Sequence, residues 1–253
     1  MTDGFRQAVR SGRSLLGVFI KTASHQIVEL IALTGVDFAV IDAEHAPFDM
    51  AVLDRMALAG RAAGLPLLIR PPKIEPGFIG QVLDLGLGGV VAPHVESEAS
   101  ANALVAAVRY DRGQRGFSPS TRAANYGAPD ARAYREAADA ASSIWCQIED
   151  ASTLDRLDAI CGVEDVDCLF VGRADLAASL GVERQDDPAV KTAVEAVAAA
   201  GRAHGRTTGI YIGAPEEIPP LKAQGYSVFV CRSDQGWLRS EGRRIRHEAD
   251  AAF

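Results

Sequence analysis

Lysine is nearly missing from this chain. Of 26 basic residues only Lys21, Lys73, Lys191 and Lys222 are lysines, and the rest are arginines. A reaction that needs an amine nucleophile therefore has few candidates. Positive charge is short as well: 33 acidic residues give a net charge of −7, which argues against nucleic acid or an anionic membrane surface as partner. No apolar run reaches the ~18 residues that a membrane helix requires. Residues 1–13 are polar and charged, with no apolar segment leading to a cleavage site, so a cytoplasmic location is expected. Cysteines are few, and Cys146, Cys161, Cys168 and Cys231 have no CxxC spacing. Three of them fall in apolar, strand-like runs, so buried free thiols are expected rather than disulfides or a zinc site.

What the chain does have is 253 residues, 48% of them hydrophobic, enough for one large core. Eight short apolar runs recur at 14–20, 38–41, 67–69, 88–93, 144–148, 168–171, 208–212 and 227–231. They show little period-two alternation, as expected of parallel strands buried on both faces. Helical patterns separate them. Ser24 caps one that carries Ile27, Leu30 and Ile31, and Asp49 opens another that carries Val52, Leu53, Met56 and Ala59. Strands alternating with helices imply parallel crossovers, and eight units in 253 residues fit a (β/α)8 TIM barrel, one domain over 1–253. The rival, an open doubly wound sheet, lacks a G-x-G-x-x-G after the first strand. Residues 109–128 have no clear period, which suggests a functional or mobile loop. A charged helix over 235–251 ends the chain.

In such barrels the chemistry sits at the C-terminal ends of the strands. Several runs end there in polar residues. The second stops in Asp42-Ala43-Glu44-His45, the third in Arg70-Pro71-Pro72, and the fifth in Gln147-Ile148-Glu149. Asp175 follows the sixth. Glu149 and Asp175 follow neighbouring strands, so they can converge on a hard divalent cation; the alternative is that each caps the helix that follows it. Arg70 can hold a carboxylate or a developing oxyanion, or pair with Asp42 or Glu44 on the rim. His45 can act as a general base, since an unperturbed imidazole titrates near neutrality, with Asp42, Glu44 or Asp84 to orient it. The alternative is a structural histidine beside Pro47. Gln147 lies on the same side of its strand as Glu149, to orient substrate or a metal-bound water, or as a buried amide paired to backbone. Gly172-Arg173-Ala174 opens a helix, where backbone N–H groups can receive a carboxylate.

These segments together resemble the HpcH/HpaI family of metal-dependent 2-keto acid aldolases over nearly the whole chain. The resemblance rests on Asp42-Ala43-Glu44-His45-Ala46-Pro47, Leu68-Ile69-Arg70-Pro71, Leu83-Asp84-Leu85-Gly86, Val91-Ala92-Pro93-His94-Val95, Arg115-Gly116 with Arg122 to Gly127, Gln147-Ile148-Glu149, and Phe170 to Leu176. It implies a divalent metal cofactor, Mg2+, Mn2+ or Co2+, on Glu149 and Asp175. It implies a keto acid whose carboxylate lies on the backbone of Gly172, Arg173 and Ala174. Arg70 would hold the oxygen that becomes an enolate, and His45, supported by Asp84, would move the proton. The implied reaction joins pyruvate or hydroxypyruvate to an aldehyde, reversibly. The implied assembly is a homohexamer, a trimer of dimers, in which the 235–251 helix packs on a neighbour.

The chain departs from the pattern in three places. Arg173 stands where many relatives have Pro, Ala177 where Ser is common, and Tyr110-Asp111-Arg112-Gly113-Gln114 where Pro-Pro is common. The last loop is expected to contact the aldehyde or a neighbouring subunit. Three other readings compete: a Schiff-base aldolase using Lys21 or Lys73, an acyl-CoA lyase, and a barrel that binds a keto acid without turning it over.

Overall fold

The structure is a computed structural model and describes residues 4–253. Helix α1 (Phe5–Arg10) precedes eight strands that alternate with helices: β1 (Leu15–Ile20), α2 (His25–Ala32), β2 (Phe38–Asp42), α3 (Met50–Ala63), β3 (Leu67–Arg70), α4 (Pro76–Asp84), β4 (Gly89–Ala92), α5 (Glu98–Val108), α6 (Ala131–Ala141), β5 (Ser143–Ile148), α7 (Leu157–Gly162), β6 (Cys168–Val171), α8 (Arg173–Ser179), α9 (Pro188–Ala203), β7 (Thr207–Ile212), α10 (Ile218–Gln224), β8 (Val228–Ser233) and α11 (Asp234–Ala252). Every strand pairs in parallel with its sequence neighbours, and β8 closes on β1 through Leu15–Val228 and Gly17–Val230. The chain is a single-domain (β/α)8 barrel.

The local signals act as their chemistry requires. Ser24 Oγ accepts from Gln26 N at 3.2 Å, and Asp49 Oδ1 accepts from Val52 N at 2.7 Å, each satisfying an orphan donor at a helix start. Two of the connecting segments begin as 3₁₀ turns, Ala151–Arg156 and Pro215–Glu217. In the second, Pro219 and Pro220 then fall in the first turn of α10, where a missing N–H leaves no bond unmade.

The core has two parts. One lies between strands and helices. The other gathers Leu15 and Phe19 of β1, Phe38 and Val40 of β2, Leu68, Val91, Trp145, Cys168, Phe170, Val228 and Val230. These are alternate residues along each strand, so they fill the barrel. Gly17 belongs to the same parity, and a Cβ there would lie 2.4 Å from the Phe38 ring. The bare glycine makes room for that ring. Phe38 and Trp145 are fully buried, and burial of such a side chain contributes roughly 1.5–3 kcal/mol.

Helix α1, too short and polar to be read from the sequence, closes the N-terminal end of the barrel. Phe5 and Val9 join the inner cluster, with the Phe5 ring 5.4 Å from that of Phe38. Arg6 Nε donates to both Asp167 oxygens at 3.0 and 2.9 Å. The irregular 109–128 stretch links α5 to α6 and lies at this same end, because helices of such a barrel run back toward the strand N-termini. Within one chain it is therefore remote from the opposite rim and cannot contact an aldehyde there. All four cysteines are buried and free, as expected. No described helix is long and apolar enough to cross a membrane.

Candidate active site

The parity that fills the barrel also builds its mouth. Phe38 and Val40 point inward, so Asp42 does too. Leu68 carries Arg70 inward, Trp145 carries Gln147 and Glu149, and Phe19 carries Lys21. Beyond the last apolar layer these polar residues meet. Asp42 is completely buried, and Arg70 is 6% exposed. Arg70 donates to Asp42 twice, Nε to Oδ1 at 3.0 Å and Nη2 to Oδ2 at 2.9 Å. Lys21 Nζ lies 3.1 Å from Asp42 Oδ2. Burial alone would raise the Asp42 carboxyl, but the two cations outweigh it and hold the pKa below the usual value. The Arg70 guanidinium stacks 4.6 Å from the Phe19 ring centroid, so packing fixes it from beneath.

Glu149 is the other buried charge, 1% exposed. Its Oε2 accepts from Gln147 Nε2, and its Oε1 accepts from the backbone N–H of His94 at 2.8 Å. Gln147 Oε1 is 3.5 Å from Arg70 Nη1, a long bond that ties the Arg70 and Glu149 halves together. Burial pushes the Glu149 carboxyl up, against the pull of these donors. The His94 ring leans on the same carboxylate: Nδ1 is 3.0 Å from Asp150 Oδ2 and 3.5 Å from Glu149 Oε1. Its hydrogen bond to Asp150 raises the His94 imidazole despite partial burial. Glu44 completes the rim. Burial raises its carboxyl, and Oε2 lies 3.2 Å from Arg70 Nε, yet no donor points at that oxygen.

His45 hangs at the edge. Its backbone N–H donates to Asp42 Oδ1 at 3.2 Å, and its half-exposed ring has Nε2 3.7 Å from Glu44 Oε2. On the far side, Gly172 packs against the acid: a Cβ there would lie 2.9 Å from Glu149 Oε2 and 3.1 Å from Gln147 Nε2. Asp175 sits one turn on, exposed in the first turn of α8. Arg173 turns away. Its Nη2 donates to Tyr211 O at 2.9 Å and to Glu217 Oε2 at 2.6 Å, which neutralises the charge that the sequence set beside the acids.

The family model for HpcH/HpaI aldolase/citrate lyase matches residues 15–225. The chain belongs to the HpcH/HpaI aldolase/citrate lyase family. It is 32% identical over 244 residues to a 5-keto-4-deoxy-D-glucarate aldolase of Citrobacter koseri, covering 95% of this chain and 94% of the relative. Its fold matches the crystal structure of an HpcH/HpaI aldolase/citrate lyase family protein from Burkholderia cenocepacia with a TM-score of 0.92, at 32% identity and over 98% and 99% of the two chains. It also matches the citrate synthase SbnG with a TM-score of 0.89, at 26% identity and over 98% and 97%. As a member of this family it is an aldolase, a carbon–carbon lyase.

For an HpcH/HpaI member, one sequence expectation needs correction within the single chain. Asp84 does not support His45. It ends α4, and so lies near the N-terminal end of the barrel, where its Oδ1 accepts from Arg115 Nη2 at 2.8 Å. His45 follows the C-terminal end of β2, on the opposite rim. Three residues of the mouth escaped the sequence reading: His94, Asp150 and Lys21 as partner of Asp42. The rule of polar strand endings applied to all of them. His94 follows β4 by two residues, Asp150 adjoins Glu149, and Lys21 adjoins β1.

Proposed function

We propose that this aldolase cleaves 4-hydroxy-2-keto acids reversibly to pyruvate or hydroxypyruvate and an aldehyde. One observation carries the reading: a buried guanidinium, Arg70, and a buried carboxylate, Glu149, converge in the barrel mouth through Gln147, with the His45 imidazole at its edge. Cleavage of the C3–C4 bond leaves its electron pair as an enolate on the keto acid fragment. Arg70 is the donor for that oxygen. Its guanidinium is already fixed by Asp42 and Phe19, so little reorganisation is needed as charge develops.

His45 takes the proton of the 4-hydroxyl as the bond breaks and later returns a proton to C3. A positioned group of this kind contributes ~10²–10⁴-fold. The substrate carboxylate lies on the backbone N–H groups of Arg173 and Ala174 at the start of α8, while that of Gly172 donates to Ile148 O at 3.2 Å. Gln147 orients the keto acid between Arg70 and Glu149.

The residues fit a divalent cation. Glu149 is a buried carboxylate that burial destabilises, and Glu44 Oε2 is buried with no hydrogen-bond donor, so negative charge here is in excess. Glu149 and Asp175 are the proposed ligands. When bound, the ion supplies positive charge that polarises the substrate carbonyl.

The deciding experiment is pyruvate release from 5-keto-4-deoxy-D-glucarate and simpler 4-hydroxy-2-keto acids, before and after EDTA, with Mg2+, Mn2+ or Co2+ restored. Loss with EDTA and recovery with metal supports the reading. Activity indifferent to EDTA refutes the cofactor, and a chain inert on every 4-hydroxy-2-keto acid refutes the reaction.

We also propose that α11 packs on a second copy within a homohexamer. Past its first turn the helix exposes Leu238 and Ile245, 77% and 54% accessible. Light scattering after gel filtration tests this; a monomer refutes it.

A further inference from the structure

A cavity of about 230 Å3 opens at the N-terminal end of the barrel, away from the mouth. Its floor is apolar: Ala57 of α3, Leu65 and Leu67 at the start of β3, Leu83 of α4 and Leu87 before β4, all buried. Leu65, Leu67 and Leu87 mark where β3 and β4 begin, so the cavity belongs to the rim opposite Arg70 and Glu149. Its outer wall is α6. Tyr134, Ala137, Ala138 and Ala141 line it at the i, i+3, i+4, i+7 spacing of one helix face. No residue of α6 is buried. The helix thus turns its apolar stripe to the cavity instead of packing it into the core.

Charge gives a second, independent sign. Arg61, Arg115 and Arg122 stand around the apolar floor, and none of the lining residues is acidic. Arg115 Nη2 pairs with Asp84 Oδ1 at 2.8 Å, and Arg122 Nη2 pairs with Asp54 Oδ1. Among the described residues Arg61 donates only to neutral oxygens, Asn125 Oδ1 at 2.7 Å and Arg122 O at 3.4 Å. Two carboxylates therefore serve three cations, and one positive charge is left over. The Arg115 side chain is 2% exposed. Its Nε, like that of Arg122, is buried with no acceptor. A buried donor without an acceptor is costly, and an anion in the cavity is the group that relieves it.

We propose that this cavity binds a small monoanionic amphiphile, a carboxylic acid that carries one ring or a short chain. Its carboxylate meets Arg61, Arg115 and Arg122, and its apolar body lies between the floor and α6. One carboxylate matches one excess cation, and guanidinium is the group that holds a carboxylate by paired hydrogen bonds. Pockets for drug-sized ligands run to ~300–1,000 Å3, so this occupant is smaller. The site lies apart from the aldol chemistry. A ligand that packs on α6 binds the folded chain alone and so stabilises it.

The test is calorimetric titration of the full chain with benzoate and with its neutral isostere benzamide, in the presence and absence of pyruvate. Benzoate should bind once per chain, at least tenfold tighter than benzamide, raise the melting temperature, and be indifferent to pyruvate. Hexanoate repeats the series with a chain in place of the ring. Arg61→Gln, at an exposed position of α3, should weaken benzoate at least fivefold and leave aldolase turnover unchanged. Ala138→Phe, which fills the cavity from α6, should remove binding, with circular dichroism to verify its fold. Failure of both acids to bind overturns the proposal. So does undiminished binding by Arg61→Gln, or competition with pyruvate, which would put the acid in the mouth. If neither acid binds and Ala138→Phe changes the mass seen by light scattering, a second copy of the chain covers the cavity and the proposal falls.

Discussion

Arg70 grips Asp42 with two parallel hydrogen bonds, Nε to Oδ1 at 3.0 Å and Nη2 to Oδ2 at 2.9 Å, at the blind end of the barrel mouth. The fork is a property of guanidinium; a lysine cannot reproduce it. Arg70→Lys should therefore keep the fold and lower kcat/KM by ~10²–10³, the usual loss when one oxyanion donor goes. Steady-state pyruvate release checks this, and near-native turnover would remove Arg70 from the chemistry.

Gly172 is where Glu149 is most easily disturbed. An alanine Cβ would sit 2.9 Å from Glu149 Oε2. Either the carboxylate or the β6–α8 turn must shift. Gly172→Ala is expected to reduce divalent-ion affinity at least tenfold and cost roughly 1–3 kcal/mol of stability. Calorimetric titration and thermal melting measure the two; unchanged metal affinity would mean that Glu149 is not a ligand.

Lys21 tests the rival mechanism. Its Nζ lies 3.1 Å from Asp42 Oδ2, held in an ion pair at the barrel mouth. Borohydride added with pyruvate should leave the intact mass unaltered. A stable adduct on Lys21 would establish Schiff-base chemistry.

At the other end of the barrel, Asp165 contributes to acid stability. Burial raises its carboxyl, but hydrogen bonds from Arg6 and Arg109 outweigh this and hold the folded pKa below the usual 3.8. A depressed carboxyl contributes stability that is complete above 3.8 and is lost as pH falls through the folded value. Melting temperatures of the native chain and Asp165→Asn should therefore differ most above that pH and converge below it. Parallel profiles would refute the linkage.

The thiols should be silent. Cys146 and Cys168 lie in the core, where burial raises both, and Cys161 is pushed up to about 11. Native protein at pH 8 should not react with Ellman's reagent, while the chain in guanidinium should release four equivalents. Fast labelling of the native form would contradict the closed core.

The barrel was legible because its strands are buried on both faces. Continuous apolar runs such as 38–41 and 144–148 can be satisfied only between an inner and an outer layer, and helix signals such as Ser24 and Asp49 separate them. Arg70, Gln147 and Glu149 were legible for the same reason, since a strand that ends in charge ends at the rim. Helix α1 was not, because its hold on the barrel comes from Phe5, Arg6 and Val9 meeting residues far along the chain.

The sequence by itself determined which residues could stand at the strand ends, through the length of each apolar run and the period of two. Only the tertiary structure decided which of them meet. Asp84 and His45 fall on opposite rims because a helix between parallel strands must run back. Arg173 is drawn to Glu217, and His94 turns onto Glu149 and Asp150, because strand order makes those loops neighbours. Strand parity is local and can be read along the chain; ion pairing depends on distances that exist only once the barrel has closed.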